Sequence, residues 1–239
     1  MRSLARALLL LALLVLPLQL AGAAALSDAD RQAYRLAFAA IRSGDWQGAY
    51  AQARSTLLDV LDLERAMGDD RMVPTVLMNL AETEFALGDA HSAVDRAEEN
   101  LCNDVVRKSC DMLATQEANL SAYLLTLGQV DEARAMALAS IDDASGSFPA
   151  VPLQHFAATI VEVQPRMAAR LWGYVDAVFT ANAFSREYTE RYTYERLAAA
   201  LHESLGDDAV NMYRREGALM SAEQAVQLAR RVNEQLRAS

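Results

Sequence analysis

Apolar side chains recur through most of the 239-residue chain at spacings of three and four, which gathers them on one face of a helix. The clearest stretch carries Val76, Leu77 and Leu80 at that spacing and stops at Leu87-Gly88-Asp89. It then resumes with Ala93 and Ala97. The same order returns 40 residues later: Asn79-Leu80 maps onto Asn119-Leu120, Gly88 onto Gly128, Ala93 onto Ala133 and Ala97 onto Ala137. A weaker copy precedes it in Leu36-Ala37, Gly44-Asp45, Ala49 and Ala53. A degenerate one follows in Phe156-Ala157, Gln164-Pro165 and Ala169.

This pattern predicts helical hairpins. Gly88 ends the first helix, because a left-handed residue costs glycine little. Asp89 caps the second helix. Ala93 and Ala97, four apart, put the smallest side chains where the two helices cross. Gly68-Asp69 makes the same stop and restart between hairpins, and Pro74 falls in a first turn, where its missing N–H is tolerated. One hairpin cannot bury its apolar face alone, so the copies are expected to stack. Near the C-terminus, Asp207 is expected to cap the preceding helix after the Leu205-Gly206 stop. Ser221 to Gln224 fits a capping box ahead of Val226, Leu228 and Val232.

Composition agrees. Apolar residues make up 53% of the chain and aromatics 7%, with 10 Gly and 5 Pro, which suits helices and short turns better than a sandwich or barrel. No Gly- or Ser-rich linker marks a boundary. Residues 1–25 read separately: Arg2 and Arg6, a 14-residue apolar run from Ala7 to Leu20, then small residues to Ala25. That is the layout of a secretory signal peptide, with an apolar run short of the ~20 residues a span needs. Cleavage is expected after Ala23 or Ala25, giving a periplasmic or secreted protein without a membrane span.

The formal charge is −10, or −12 without Arg2 and Arg6, so neither nucleic acid nor an anionic lipid surface is the expected partner. In an oxidising compartment Cys102 and Cys110 become a possible disulfide. Eight residues along one straight helix are too far apart to bond. A turn near Arg107–Ser109 would let them clip two helices together, and without bonding they stand as two small apolar residues. His91, His155 and His202 are scattered, so no metal or cofactor is expected. The chain has no G-x-x-x-x-G-K-[ST], H-E-x-x-H, G-x-S-x-G or C-x-x-C pattern, and so no catalytic residues of those kinds.

On Leu77, Leu80, Ala81, Gly88, Ala93 and Ala97, the chain resembles the tetratricopeptide repeat in a longer form of ~40 residues. The resemblance implies an all-α, TPR-like α-solenoid of antiparallel helical hairpins over 26–148, with a degenerate repeat and C-terminal capping helices over 149–239. It also implies a non-enzymatic scaffold for a protein or peptide partner. The first helices of the hairpins would line the groove, which places Tyr34, Phe38, Met78, Glu82, Phe85, Ala122 and Leu125 on it; Phe38 and Phe85 are equally read as packing between hairpins. Such a surface suits an amphipathic helix or an extended peptide. Asn79 and Asn119 read as repeat-consensus residues. Tyr188, Tyr192 and Tyr194 beside Arg186 and Arg191 form a second candidate surface.

Two further resemblances pull elsewhere. Arg166 to Gly173, Tyr194 to Leu197, Leu205 to Ala209, Glu216-Gly217 and Ser221 to Ala229 are similar to the helical-repeat tail of LuxR-type and predicted-ATPase bacterial regulators. That tail implies a closing segment and, by analogy, a small-molecule sensor. Leu26 to Asp30, Tyr34, Ala37-Phe38 and Gly44 to Trp46 are similar to the start of exported lytic transglycosylases. There Glu203-Ser204 and Gly217 to Met220 would echo the catalytic motif, with Glu203 a general acid needing an apolar pocket. Only 36 residues follow Glu203, too few for a lysozyme-like groove, so this reading ranks below the scaffold.

Overall fold

The computed structural model describes residues 45–68, 72–143 and 149–238. The signal-like segment, Tyr34, Phe38 and the Leu36-Ala37 and Gly44 positions of the weak copy lie outside them. Among the described residues there are eleven helices and no strand, so the chain is all-α. It divides into two compact units, 1–105 and 106–239.

In the first unit α1 (Trp46–Met67), α2 (Val73–Ala86) and α3 (Ala90–Leu101) pack in succession. Asp45 caps α1, accepting from the Gly48 amide at 2.8 Å. Asp89 caps α3, accepting from the Ser92 amide at 3.1 Å and its hydroxyl at 2.8 Å, bonds that hold its carboxyl below the usual range. Pro74 sits in the first turn of α2. Leu57 and Leu61 of α1 meet Val73, Val76, Leu77 and Leu80 of α2 in one apolar cluster, each buried side chain contributing about 1.5–3 kcal/mol. A buried carboxylate crosses this packing. Glu84 Oε1 accepts from Arg54 Nε of α1 at 3.3 Å, and its Oε2 lies 3.7 Å from Arg96 Nε of α3. Even so, desolvation outweighs both guanidinia and raises its pKa.

The short α4 (Asp104–Arg107) precedes the second unit's α5 (Cys110–Thr126), so the turn falls where the repeat places it. Cys102, the C-cap of α3, and Cys110, the first residue of α5, are both exposed free thiols. In the second unit α5 pairs with α6 (Val130–Asp143) and α7 (Ala150–Ile160) with α8 (Pro165–Ala181). The two hairpins stack through α6 on α7 and α5 on α7. Three helices follow: α9 (Tyr188–Leu205), α10 (Asp207–Gly217) and α11 (Ala222–Arg237).

The 40-residue repeat is visible in three dimensions. Gly88 and Gly128 follow equivalent helix ends with φ of 88° and 78°, a region that costs other L-residues dearly. Ala49, Ala53, Ala93, Ala97, Ala133, Ala137 and Ala169 are all fully buried. Two buried hydrogen bonds repeat as well. Asn100 Nδ2 donates to the Pro74 carbonyl at 2.9 Å, and Ser140 Oγ donates to the Ala114 carbonyl at 2.7 Å, each tying a second helix to the start of its first.

The C-terminal helices close the second unit. Ser221 and Gln224 make both bonds of the capping box, at 3.2 and 2.9 Å. Ala225, Leu228, Ala229 and Val232 are buried, and α11 packs on α6, α7 and α8. Asp207 is not a cap: Gly206 takes that place, and Asp207 is the first residue of α10. Its carboxylate instead reaches back 2.6 Å to His202 Nδ1 in the last turn of α9. A carboxylate has no proton to give the free carbonyls at the end of α9, and the Gly206 amide donates to the His202 carbonyl there instead.

Within this unit Glu117 of α5 is buried with an unpaired Oε2. Burial first, then the neighbouring Asp143 and Asp142, push its pKa up to about 7. A folded pKa above the ordinary 4.5 means that the native state holds this proton longer than the unfolded chain does. Glu117 therefore costs nothing below pH 4.5, and its penalty grows from there to about pH 7. Glu117→Gln is expected to stabilise the protein by about 3 kcal/mol more at pH 8 than at pH 4. Urea melts of both proteins at the two pH values check this, and a pH-independent difference contradicts it.

Candidate functional site

The face read as a groove in the first unit is carried by α2. There Met78 and Asn79 are half-buried, while Glu82 and Phe85 are only 7% and 4% exposed. In the second unit Ala122 and Leu125 lie on α5 at 0% and 2% exposure. Four of the five described groove residues are thus packed side chains, and Met78 is the one a partner can reach. For α5 the cover is visible: α6, α7 and α9 all pack against it. Periodicity identifies a face but not what lies on it.

The helix α7, part of that cover on α5, is itself enclosed. Ten of its eleven residues are buried, because α5, α6, α8, α9 and α11 surround it. Three of those ten, Gln154, His155 and Thr159, are polar. Thr159 Oγ bonds the Phe156 carbonyl at 2.8 Å. His155 is fully buried, neither ring nitrogen has a hydrogen-bond partner, and desolvation lowers its pKa to about 4, so it is neutral near pH 7. Gln154 commits both ends of its amide. Its Nε2 donates to the Glu190 carbonyl at 2.6 Å and to Thr193 Oγ1 at 2.9 Å, and its Oε1 accepts from Arg186 Nε at 2.9 Å.

Arg186 leads into a second knot. Asp176 of α8 accepts from Arg186 Nη2 at 2.7 Å and from Arg214 Nη2 of α10, with the Tyr194 hydroxyl of α9 at 3.4 Å. Aromatic rings flank both guanidinia. Arg186 lies 4.0 Å from the Tyr194 ring centre and 4.3 Å from that of Phe179, and Arg214 lies 4.0 Å from that of Trp172, distances at which a ring face attracts a cation. Burial raises the Tyr194 pKa. The tyrosine–arginine surface expected from sequence is therefore partly consumed inside the fold. Tyr194 and Arg186 join the knot, while Arg191 stacks on Tyr188 at 5.6 Å. Asp176, Gln154 and Arg214 were not singled out from the sequence. The available signal was Gln154, an amide in the apolar run from Ala150 to Ile160, which must find partners if buried.

The helices α8 and α10 cross at two glycines. A Cβ on Gly173 would overlap the Arg214 carbonyl, and one on Gly217 the Arg170 carbonyl. Arg170 also pairs with Glu216 at 2.7 Å and stacks on Tyr213 at 4.7 Å.

No protein-family model matches the chain, and no curated protein matches it. Among solved structures it is similar to a kinesin light chain of Podospora anserina with nearly identical TPR-like repeats. The identity is 16% and the TM-score 0.49, over 87% of this chain and 97% of that one.

The catalytic alternative meets a different geometry. Glu203 is exposed near the end of α9, and Gly217 to Met220 form the end of α10 and the turn after it. A general acid whose proton is to be kept by an apolar pocket is not placed on an open helix face. Among the described residues no three His, Cys, Asp or Glu side chains are grouped to hold a metal. No described helix is long and apolar enough to cross a membrane.

Proposed function

We propose that this chain is a helical-repeat scaffold that binds a protein or peptide partner through the first helices of its hairpins. One observation carries the reading: the first-helix face of α5 and α7 already receives a helix, α9, through a buried glutamine and a narrow stripe of two threonines and two leucines. A surface that holds one helix in this way has the chemistry of helix-in-groove recognition. In the first unit the equivalent helix α2 presents Met78 and Asn79, half-buried at neighbouring positions. Methionine adapts to a partner's contour. The repeat asparagine beside it offers a donor and an acceptor. We further propose that the scaffold works outside the cytoplasm, on the strength of the charged, apolar and small segments of residues 1–25.

The test is expression of the whole chain in a bacterium, crosslinking in the cells and mass spectrometry of what is captured. The expected result is one reproducible envelope protein, its capture falling about tenfold with Met78→Ala at unchanged helicity, the scale of one anchor contact. The chain itself should begin just after Ala23 or Ala25. Capture that ignores Met78→Ala, or an intact residue 1 on the recovered chain, contradicts the corresponding half of the proposal.

A further inference from the structure

We infer that the face of α5 and α7 is a helix-receiving site that the chain keeps closed with its own α9. A second helix of the same pattern, supplied by another chain, gains entry when α9 lifts. The inference rests on the scaffold reading above and names the class of partner for its second unit.

Four observations converge. First, α9 leaves the hairpin order. The second helix α8 takes α10 as its main following neighbour, while α9 lies across α7 and also touches α5, the first helices of the two hairpins. Second, α9 is seated narrowly. Of its 18 residues only Thr189, Thr193, Leu197 and Leu201 are buried, one stripe at intervals of four. Third, the receiving side chain reads features that any similar helix can offer. Gln154 donates to a backbone carbonyl and to one threonine hydroxyl. Fourth, the polar attachment is gathered at one end. Arg186, just before α9, binds Gln154 and Asp176 and stacks on Phe179 and Tyr194, whereas residues 182–185 leading to it are exposed. Trp172 of α8 adds edge contacts to Tyr194 and His202, but an element with four buried side chains and its polar ties gathered at one end opens more readily than the core beneath it.

The stripe defines the partner: an amphipathic helix with small hydroxyl residues at two successive positions four apart, then leucines at the next two. The Gln154 amide supplies the polar discrimination, because a helix without the hydroxyl leaves it a bond short. Closure by α9 reduces the apparent affinity for such a helix by the fraction of time that the face is open.

A fluorescent peptide of residues 186–206 is the probe, titrated against the full chain and read by anisotropy. Arg186→Ala, checked for helicity, is expected to bind the peptide about tenfold or more tightly than the unaltered chain, because it raises the open fraction. A second probe leaves the protein unchanged. The same peptide with Thr193→Val lacks the hydroxyl that Gln154 bonds and should bind the Arg186→Ala chain several-fold more weakly. Hydrogen exchange of the unaltered chain should release the α9 amides about tenfold or more faster than those of α7. Equal binding of the Thr193→Val and unaltered peptides overturns the inference. So does an absence of binding to a folded Arg186→Ala chain, or exchange of α9 in step with α7. Loss of the peptide result with capture through Met78 intact would sink this inference alone; the converse would sink the scaffold reading.

Discussion

Gly173→Ala is expected to cost about 3 kcal/mol or more, lowering the melting temperature by roughly 6 °C or more. The residue has no unusual φ, so strain is not the reason. A Cβ there would meet the carbonyl of Arg214, and the reciprocal substitution Gly217→Ala would drive a Cβ into the carbonyl of Arg170. Backbone cannot swing aside as a long side chain can, so α8 and α10 must separate. Separation also pulls apart the Arg170–Glu216 pair and the stacks of Arg170 on Tyr213 and Arg214 on Trp172. The two glycines share one crossing, so the double variant should lose clearly less than the sum of the singles. Gly88→Ala offers the contrast. It has open space for a Cβ but a φ of 88°, and should cost only about 1–2 kcal/mol. Thermal melts of the four proteins check the order, and a loss below about 1 kcal/mol for Gly173→Ala contradicts the crossing.

The second large effect is expected at Asp176. Asp176→Ala removes the acceptor shared by Arg186 and Arg214 and leaves two half-buried guanidinia facing each other. Removing one partner of a buried ion pair costs about 3–5 kcal/mol. Some solvent reaches all three side chains here, so about 3 kcal/mol is expected. Asp176→Asn keeps an acceptor without the charge and should lose roughly half as much. Denaturant melts distinguish the two. If Asp176→Ala and Asp176→Asn lose the same small amount, the knot is surface decoration and α9 is held elsewhere.

How much of this was written in the sequence depends on how local each device is. The hairpin stops at Gly88 and Gly128, the cap at Asp89 and the capping box at Ser221 are carried by residues within one turn of each other. They read directly. The small crossing positions read because alanine recurs there. In the fourth copy the recurrence changes letter: the place of Ala97 and Ala137 is taken by Gly173, because α10 comes closer than a methyl group allows. The paired bonds of Asn100 and Ser140 were hidden for a similar reason, since an amide and a hydroxyl perform the same task 40 residues apart. What the sequence could not carry was the change of course at α9. Its Gly206 stop looks like the others, yet α9 lies over the first helices α5 and α7, and Ala122 and Leu125, placed as groove residues, are buried. Glu82 and Phe85 were placed on the groove by projection onto the repeat, with Phe85 also read as packing between hairpins; both are packed.

The claim at the centre is that the first-helix side of the repeats is where a partner lands. The most direct measurement places a photo-crosslinking side chain at one position at a time in the full chain, in living cells. Met78, half-buried on α2, is compared with Glu98, exposed on α3. A single adduct of defined mass from position 78 and none from position 98 is the predicted result. Adducts of equal strength from both positions, or from position 98 alone, would contradict the claim.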